Sequence, residues 1–142
     1  VLIRYELEKE IFEKDVNVDE LPEKWADKYE EYLGVRPKTF EEGVLQDVHW
    51  SSGLFGYFSS YALGSAYASQ FYNSMIKEFD VESELRSGSF KKINEYLREN
   101  IHQYGKYKTP NEIIMDTTKE AFNPDYYINY LRGKYGELYG VK

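Results

Sequence analysis

The 142-residue chain is predicted to fold as an all-α protein. Apolar residues recur three and four positions apart over most of its length, which is the period of one helix face. Residues that favour helix starts precede these runs, and glycines that favour helix ends follow them. The short alternating runs typical of strands are absent from the sequence. Hydrophobic residues make up 42% of the chain, enough for a core, so the composition excludes a disordered protein.

Two helices are predicted in the first 34 residues. The first covers residues 1–14. Its apolar residues lie mostly at helical spacings: Leu2, Ile3, Leu7, Ile11 and Phe12. The second begins at Asp19, a good N-cap, carries Pro22 in its first turn, where a missing N–H costs little, and ends at Gly34.

The first residues indicate whether the sequence is a piece of a longer protein. The chain begins at Val1 without a Met, without the charged start of a signal peptide and without a helix cap. An uncapped first turn leaves N–H groups unsatisfied. We therefore expect a sequence that enters a helix in mid-course, as a piece of a longer protein does.

Residues 35–55 lack a clean helical period, and we predict one long irregular loop there with at most a short helical turn within 39–44. The segment contains Pro37, Gly43 and a Ser51-Ser52-Gly53 run. Irregular segments of this length in compact domains are often functional.

Three further helices and a capping box are predicted in the remaining sequence. The helix at about 57–79 is rich in Ala, Gly and Ser, which let a neighbouring backbone approach, so we expect it to be the most buried. Gly88 or Ser89 opens the next helix, which ends at Gly105. The Thr109–Glu112 sequence predicts a capping box with proline at the first helical position. The last helix covers about 124–138.

Charge and composition exclude several classes of partner. The net charge is −7, and no Lys/Arg run stands out, which argues against a nucleic-acid partner. No apolar run approaches the length that spans a bilayer, so no membrane partner is expected. The absence of cysteine excludes disulfides and thiolate metal sites and is compatible with a cytoplasmic protein.

Two histidines limit the chemistry that the chain can carry. No His-x-x-x-His pair exists, so a two-histidine helical zinc site cannot form here, and Asp47 with His49 would need further ligands. His49 is either functional or a loop histidine held by Asp47 or a carbonyl. The glycines do not match a phosphate loop. Most aromatic residues are expected to fill helix interfaces, but a tyrosine hydroxyl near Gly53–Tyr61 could donate to a substrate carbonyl or carboxylate.

The segment Gly43–Trp50 matches the Gly-x-x-Gln-Asp-x-His-Trp signature of the M32 metallocarboxypeptidases, and the matching Ser51–Gly64 sequence follows in register. The chain therefore resembles this family, and the similarity continues through Arg4–Glu10, Asp19–Gly34 and the C-terminal residues. Three positions, in two segments, depart from the pattern. Ser59 stands where the family commonly has proline, and Gln103-Tyr104 replaces its Arg-His.

The resemblance implies that residues 1–142 are a single C-terminal portion of a larger helical zinc enzyme that releases single residues from peptide C-termini. The family's zinc-binding His-Glu-x-x-His helix and its general base lie upstream, so zinc or another divalent metal belongs to the parent enzyme and this portion alone should be inactive. The expected partners are peptide substrates, the upstream part of the same chain and, for the parent, a second copy in a homodimer. The alternative is a non-catalytic helical binding or dimerisation module.

The resemblance also suggests roles for individual residues. His49 and Tyr57 are expected to face the cleft as catalytic residues that stabilise the oxyanion or the terminal carboxylate. Gln46 and Asp47 are expected to orient His49 or shape the loop on the substrate-binding side. Arg4 either belongs to the cleft or forms a structural ion pair with a neighbouring helix. No metal ligand is expected in this chain.

Overall fold

The computed structural model describes residues 1–140, and its regular structure within them is entirely helical, which confirms the predicted fold class. The α-helices are α1 (Leu2–Glu13), α2 (Leu21–Leu33), α3 (Val48–Ser51), α4 (Ser60–Met75), α5 (Val81–Arg86), α6 (Lys91–Asn100), α7 (Pro110–Thr118) and α8 (Asp125–Tyr139). Short 3-10 turns lie at Val18–Glu20, Val44–Gln46 and His102–Tyr104. The chain divides into two compact units, Val1–Leu63 and Gly64–Lys142. Among the described residues, no helix is long and apolar enough to cross a bilayer.

Helices α1 and α2 form the framework of the first unit. Ile3 and Leu7 of α1 pack against Trp25 of α2 in a buried cluster. Charged pairs flank this contact, with Lys28 Nζ 2.6 Å from Glu6 and Lys24 Nζ 3.2 Å from Glu10. The two helices predicted in this region are therefore present, and their apolar faces meet.

The ends of α2 follow local sequence rules, with one correction. Gly34 ends the helix in the left-handed region at φ 66°, as predicted, and its N–H bonds to the Glu30 carbonyl. Asp19 is not the N-cap. A 3-10 turn precedes α2, and Asn17 caps that turn by accepting the Asp19 N–H at 3.1 Å. Asn and Asp both favour this position, so the sequence did not decide between them.

The segment 35–55 folds back onto α2 and then forms two short turns. Arg36 binds three carboxylates spaced along one face of α2: Glu23, Asp27 and Glu30. Gly43 is buried at the return, where the backbone passes close to Thr39 and Pro37. The 3-10 turn Val44–Gln46 and the single helical turn α3 then follow, so His49 and Trp50 lie on a helical turn rather than on irregular chain.

Helix α4 is shorter and less buried than the sequence suggested. It covers Ser60–Met75 within the predicted 57–79, and its buried residues are Ala66, Gln70 and Met75. Leu63 is 50% exposed, and a Cβ added to Gly64 would meet nothing within 4 Å. The prediction that this helix is the most buried was wrong, because small residues permit a close neighbour but do not supply one.

The second unit has its own small core. Met75, Val81 and Tyr96 form a buried cluster. The predicted capping box at Thr109 is present, and Gly105 ends the helical region after α6 with φ 50°. Helix α6 begins at Lys91, slightly later than predicted, and the short helix α5, capped by Asp80, was not foreseen. Helix α8 lies within one residue of its predicted bounds.

Candidate functional site

Asp47 organises the turn that carries His49. Its Oδ1 accepts the backbone N–H groups of His49 and Trp50 at 2.7 and 2.8 Å. These are the free N–H groups at the start of α3, so Asp47 is the N-cap of this turn. The cap fixes the direction in which the chain leaves the loop, and His49 follows two residues later.

Arg4 of α1 holds Asp47 from the other side. Its Nε lies 2.5 Å from Asp47 Oδ2, and the Asp47 side chain has no exposed area. The guanidinium also lies 3.9 Å above the Phe58 ring and 5.1 Å from the Trp25 ring. A buried carboxylate is costly unless it is paired and hydrogen-bonded. Asp47 meets both conditions through Arg4 and the two N–H groups.

Trp50 is anchored by α1 as well. Its indole Nε1 donates to Glu8 Oε1 at 2.7 Å. The ring packs edge-on against Trp25 with centroids 5.5 Å apart and lies parallel to Phe55 at 6.2 Å. Glu8 is 6% exposed, so this contact is largely shielded from water.

His49 lies in an aromatic surround. Its ring stacks on Tyr57, with centroids 5.5 Å apart and planes 20° apart. The edges of Phe58 and Tyr61 approach it at 5.2 and 6.2 Å. Nδ1 lies 3.8 Å from Asp47 Oδ1, which is too long for a hydrogen bond. Asp47 therefore positions the histidine through its backbone and not through its ring.

The structure brings most of the predicted site residues together. His49 and Tyr57 stack, Asp47 caps the same turn, and Arg4 joins it through Asp47. Tyr57 is 50% exposed, so its ring borders open solvent. Gln46 is exposed and its side chain donates to the Glu41 carbonyl, so it stabilises the preceding loop. Arg4 makes its ion pair with Asp47, the N-cap of the turn that carries His49.

Sequence reasoning did not assign Glu8 to this site, and it included Phe58 and Tyr61 only as members of the segment Gly53–Tyr61, without a role of their own. Glu8 follows Arg4 by one helical turn, so both side chains leave the same face of α1. That spacing was the available signal for Glu8. Phe58 and Tyr61 lie in an aromatic-rich segment where the pattern does not separate site residues from ordinary packing.

A metal site is not formed by the residues described. No group of three or more His, Asp or Glu side chains in residues 1–140 has the geometry to hold a metal ion. Asp47 is bound by Arg4 and two N–H groups, so its oxygens are not available as ligands. The donor set around His49 therefore does not fit a metal ion.

The described residues thus form a helical chain in which the Asp47-capped turn α3 carries His49, and the His49 ring stacks on Tyr57. The family described as Carboxypeptidase Taq (M32) metallopeptidase matches residues 1–135. The chain belongs to this family of metallopeptidases.

Similar proteins extend well beyond this chain. Carboxypeptidase 1 of Bacillus subtilis is 48% identical over 140 residues, and Thermostable carboxypeptidase 1 of Thermus thermophilus is 40% identical over 141. The chain is covered to 98% and 99% in these alignments but spans only 28% of each relative. An M32 carboxypeptidase structure from Deinococcus radiodurans matches 99% of this chain and 29% of its own, with a TM-score of 0.89 at 38% identity. The chain therefore has the fold of one portion of these longer proteins.

Proposed function

We propose that this chain is the C-terminal portion of a zinc-dependent carboxypeptidase that releases single residues from peptide C-termini, and that it supplies one wall of the substrate cleft. The observation that carries the proposal is the stacking of His49 on a half-exposed Tyr57, with His49 next to the Asp47 of the buried Arg4–Asp47 pair. Membership of the M32 family and the 28% coverage of its relatives support it.

His49 and Tyr57 are the groups that we assign to substrate. The Tyr57 hydroxyl and an imidazole N–H are both hydrogen-bond donors. Donors held in advance stabilise negative charge on a carbonyl oxygen or a terminal carboxylate without a cost of reorganisation. The aromatic surround of His49 holds its ring in one plane, which supports such a role.

Arg4, Asp47 and Gln46 have a supporting role in this proposal. Arg4 and Asp47 bind each other in a buried pair, and Gln46 binds the loop backbone, so these contacts favour an indirect effect on substrate binding. The metal ligands and the general base then belong to the part of the enzyme that this chain does not cover.

Substitution in the full-length enzyme tests the two cleft residues. His49→Phe keeps a ring to stack on Tyr57 but removes the N–H, and Tyr57→Phe removes only the hydroxyl. We expect each to lower kcat/KM by about 10- to 1000-fold, the effect of losing one donor to developing charge. The matched control is His102→Phe, which changes an exposed histidine in the second unit. Equal activity in all three variants would contradict the proposal.

Assays of the isolated chain test whether the metal ligands and the general base lie outside it. We expect no release of C-terminal residues from peptides by the 142-residue chain, with or without added Zn²⁺. Chelator-sensitive release by this chain alone would show that the essential ligands are within it.

A binding or dimerisation module is the second candidate function. A groove of about 580 Å³ in the second unit favours it, because tyrosines from α4 and α8 line the groove and remain partly open to solvent. Tyr72 and Tyr130 are 37% and 47% exposed there. If this groove holds a second copy in a homodimer, Tyr130→Asp will convert the parent enzyme to a monomer in light scattering, with kcat unchanged. If His49 belongs instead to a cleft wall, His49→Phe will lower turnover and leave the dimer intact.

A further inference from the structure

Two side chains on one face of α1 reach opposite sides of the His49 turn. Arg4 binds Asp47, which caps the start of α3, and Glu8, one helical turn later, binds the indole of Trp50. A turn held at one point can pivot about that point. A turn held on both sides of His49 has its rotation fixed as well as its position.

The Glu8 contact is an unusual use of a carboxylate. Glu8 is 6% exposed, and its Oε1 accepts from a neutral indole N–H at 2.7 Å. No ion pair within 4.0 Å joins Glu8 to a cation in the described residues. Burial of a charged group costs free energy, and an apolar side chain of similar volume is often as stable or more stable at such a position. Stability alone therefore does not account for a carboxylate here.

The indole that Glu8 holds lies directly after His49 in the chain. Trp50 also packs edge-on against Trp25 and lies parallel to Phe55, and its hydrogen bond to Glu8 restricts rotation of the indole against these two rings. Loss of this hydrogen bond removes the α1 anchor of the residue next to His49, so the α3 turn is freer to rotate. The His49 ring would then leave its parallel arrangement with Tyr57.

We propose that Glu8 is a positioning residue for His49 and acts through the indole of Trp50. This rests on the proposed function of His49 in the substrate cleft. Glu8 does not contact substrate in this arrangement. It keeps the imidazole in the orientation that the reaction uses.

The test uses the full-length enzyme with Glu8→Leu, Glu8→Gln and the matched control Glu13→Leu. Glu13 lies on the same helix with a side chain 61% exposed. Glu8→Leu removes the acceptor and introduces an apolar side chain at this buried position, so we expect normal folding and a roughly 10- to 100-fold loss in kcat/KM, as small displacements of catalytic groups produce. Glu8→Gln keeps an acceptor oxygen and should restore most of the activity. Glu13→Leu should behave like the parent.

Two readouts separate positioning from a merely structural role. Glu8→Leu should alter the same parameter, kcat or KM, that His49→Phe alters, and it should have no further effect in a His49→Phe background. Additive losses in the double variant would overturn the proposal, because Glu8 would then act independently of His49. A loss of activity that follows the amount of unfolded protein would overturn it too.

Failure of the proposed function of His49 can be distinguished from failure of the positioning role of Glu8. If His49→Phe leaves turnover unchanged, His49 has no role in the reaction, and the crystal structure of Glu8→Leu decides the positioning claim. Loss of the parallel His49–Tyr57 arrangement supports that claim. An unmoved ring overturns it. If Glu8→Leu does not fold, Trp50→Phe in the Glu8→Gln background removes the same hydrogen bond, and it must give the same loss for the claim to hold.

Discussion

Arg4 Nε lies 2.5 Å from Asp47 Oδ2, and the carboxylate it binds has no exposed area. Removal of one partner from a buried pair leaves an uncompensated charge. We therefore expect Arg4→Met to lower the free energy of unfolding of the chain by about 3 kcal/mol. Urea denaturation followed by tryptophan fluorescence measures this, because Trp25 and Trp50 both lie near the pair.

The matched control for this change is Lys9→Met, which removes an exposed cation 3.9 Å from Glu13 on the same helix. An exposed pair of this kind contributes about 0–1 kcal/mol. The double variant Arg4→Met/Asp47→Asn should recover part of the loss, since Asn still accepts the N–H groups of the cap. Equal effects of Arg4→Met and Lys9→Met would mean that the buried pair contributes nothing.

Gly43 is required by a close approach of the backbone. A Cβ added there would lie 3.2 Å from the Thr39 carbonyl oxygen and 3.3 Å from Pro37 Cβ. Neither atom belongs to a flexible side chain, so we expect Gly43→Ala to destabilise the chain by about 1–3 kcal/mol. Gly64→Ala is the control, because its Cβ would meet nothing within 4 Å and alanine favours a helix interior by about 1 kcal/mol. Thermal denaturation of both variants should give shifts of opposite sign.

Local rules explain which parts of the fold the sequence predicted. The Thr109 capping box, Pro110 at the helix start and Gly34 at the end of α2 each depend on residues within one turn of chain. The site motif was recognised by its resemblance to the M32 signature, which is also a contiguous run, from Gly43 to Trp50. These features need no knowledge of distant contacts.

The contacts that hold the site were not predictable by the same means. Arg4 with Asp47 and Glu8 with Trp50 join residues far apart in the sequence, and only the packing of α1 brings them together. The burial of α4 depends in the same way on what packs against it. Its small residues would allow another helix to approach closely along much of its length. In this chain only Ala66, Gln70 and Met75 of α4 are buried.

Glu6 makes the contact between α1 and α2 depend on pH. Hydrogen bonds from Lys28 and then from Tyr32 lower the pKa of Glu6 below its ordinary value of 4.5. A carboxylate with a lowered pKa contributes stability that is fully present above the ordinary value and is lost as the pH falls through the folded-state value. We expect the parent to be more stable than Glu6→Gln at neutral pH, with the difference shrinking as the pH falls below 4.5.

Urea denaturation of both proteins across the acid range measures this difference. Glu6 is a partly exposed group, so added salt should reduce the difference at neutral pH. A difference that is independent of pH would assign the effect of Glu6→Gln to lost packing rather than to charge.

Gln70 is the polar centre of the second unit. Its side chain is 1% exposed and links α4 to the segment between α7 and α8. Nε2 donates to Thr118 Oγ1 at 3.1 Å and to the Ala121 carbonyl at 3.0 Å, and Oε1 accepts the Asn123 N–H at 2.9 Å. Gln70→Leu keeps the volume but removes the partner of the Ala121 carbonyl and of the Asn123 N–H, so we expect a loss of about 2–4 kcal/mol in the free energy of unfolding.

Hydrogen exchange at the Asn123 amide identifies the cause of that loss. The amide should exchange faster in Gln70→Leu than in the parent, because its acceptor is gone. Gln103→Leu, an exposed change in the turn after α6, should alter stability by about 0.5 kcal/mol or less and leave the Asn123 amide protected. If the Asn123 amide stays protected in Gln70→Leu, another acceptor or a water replaces Gln70, and the destabilisation must come from packing alone.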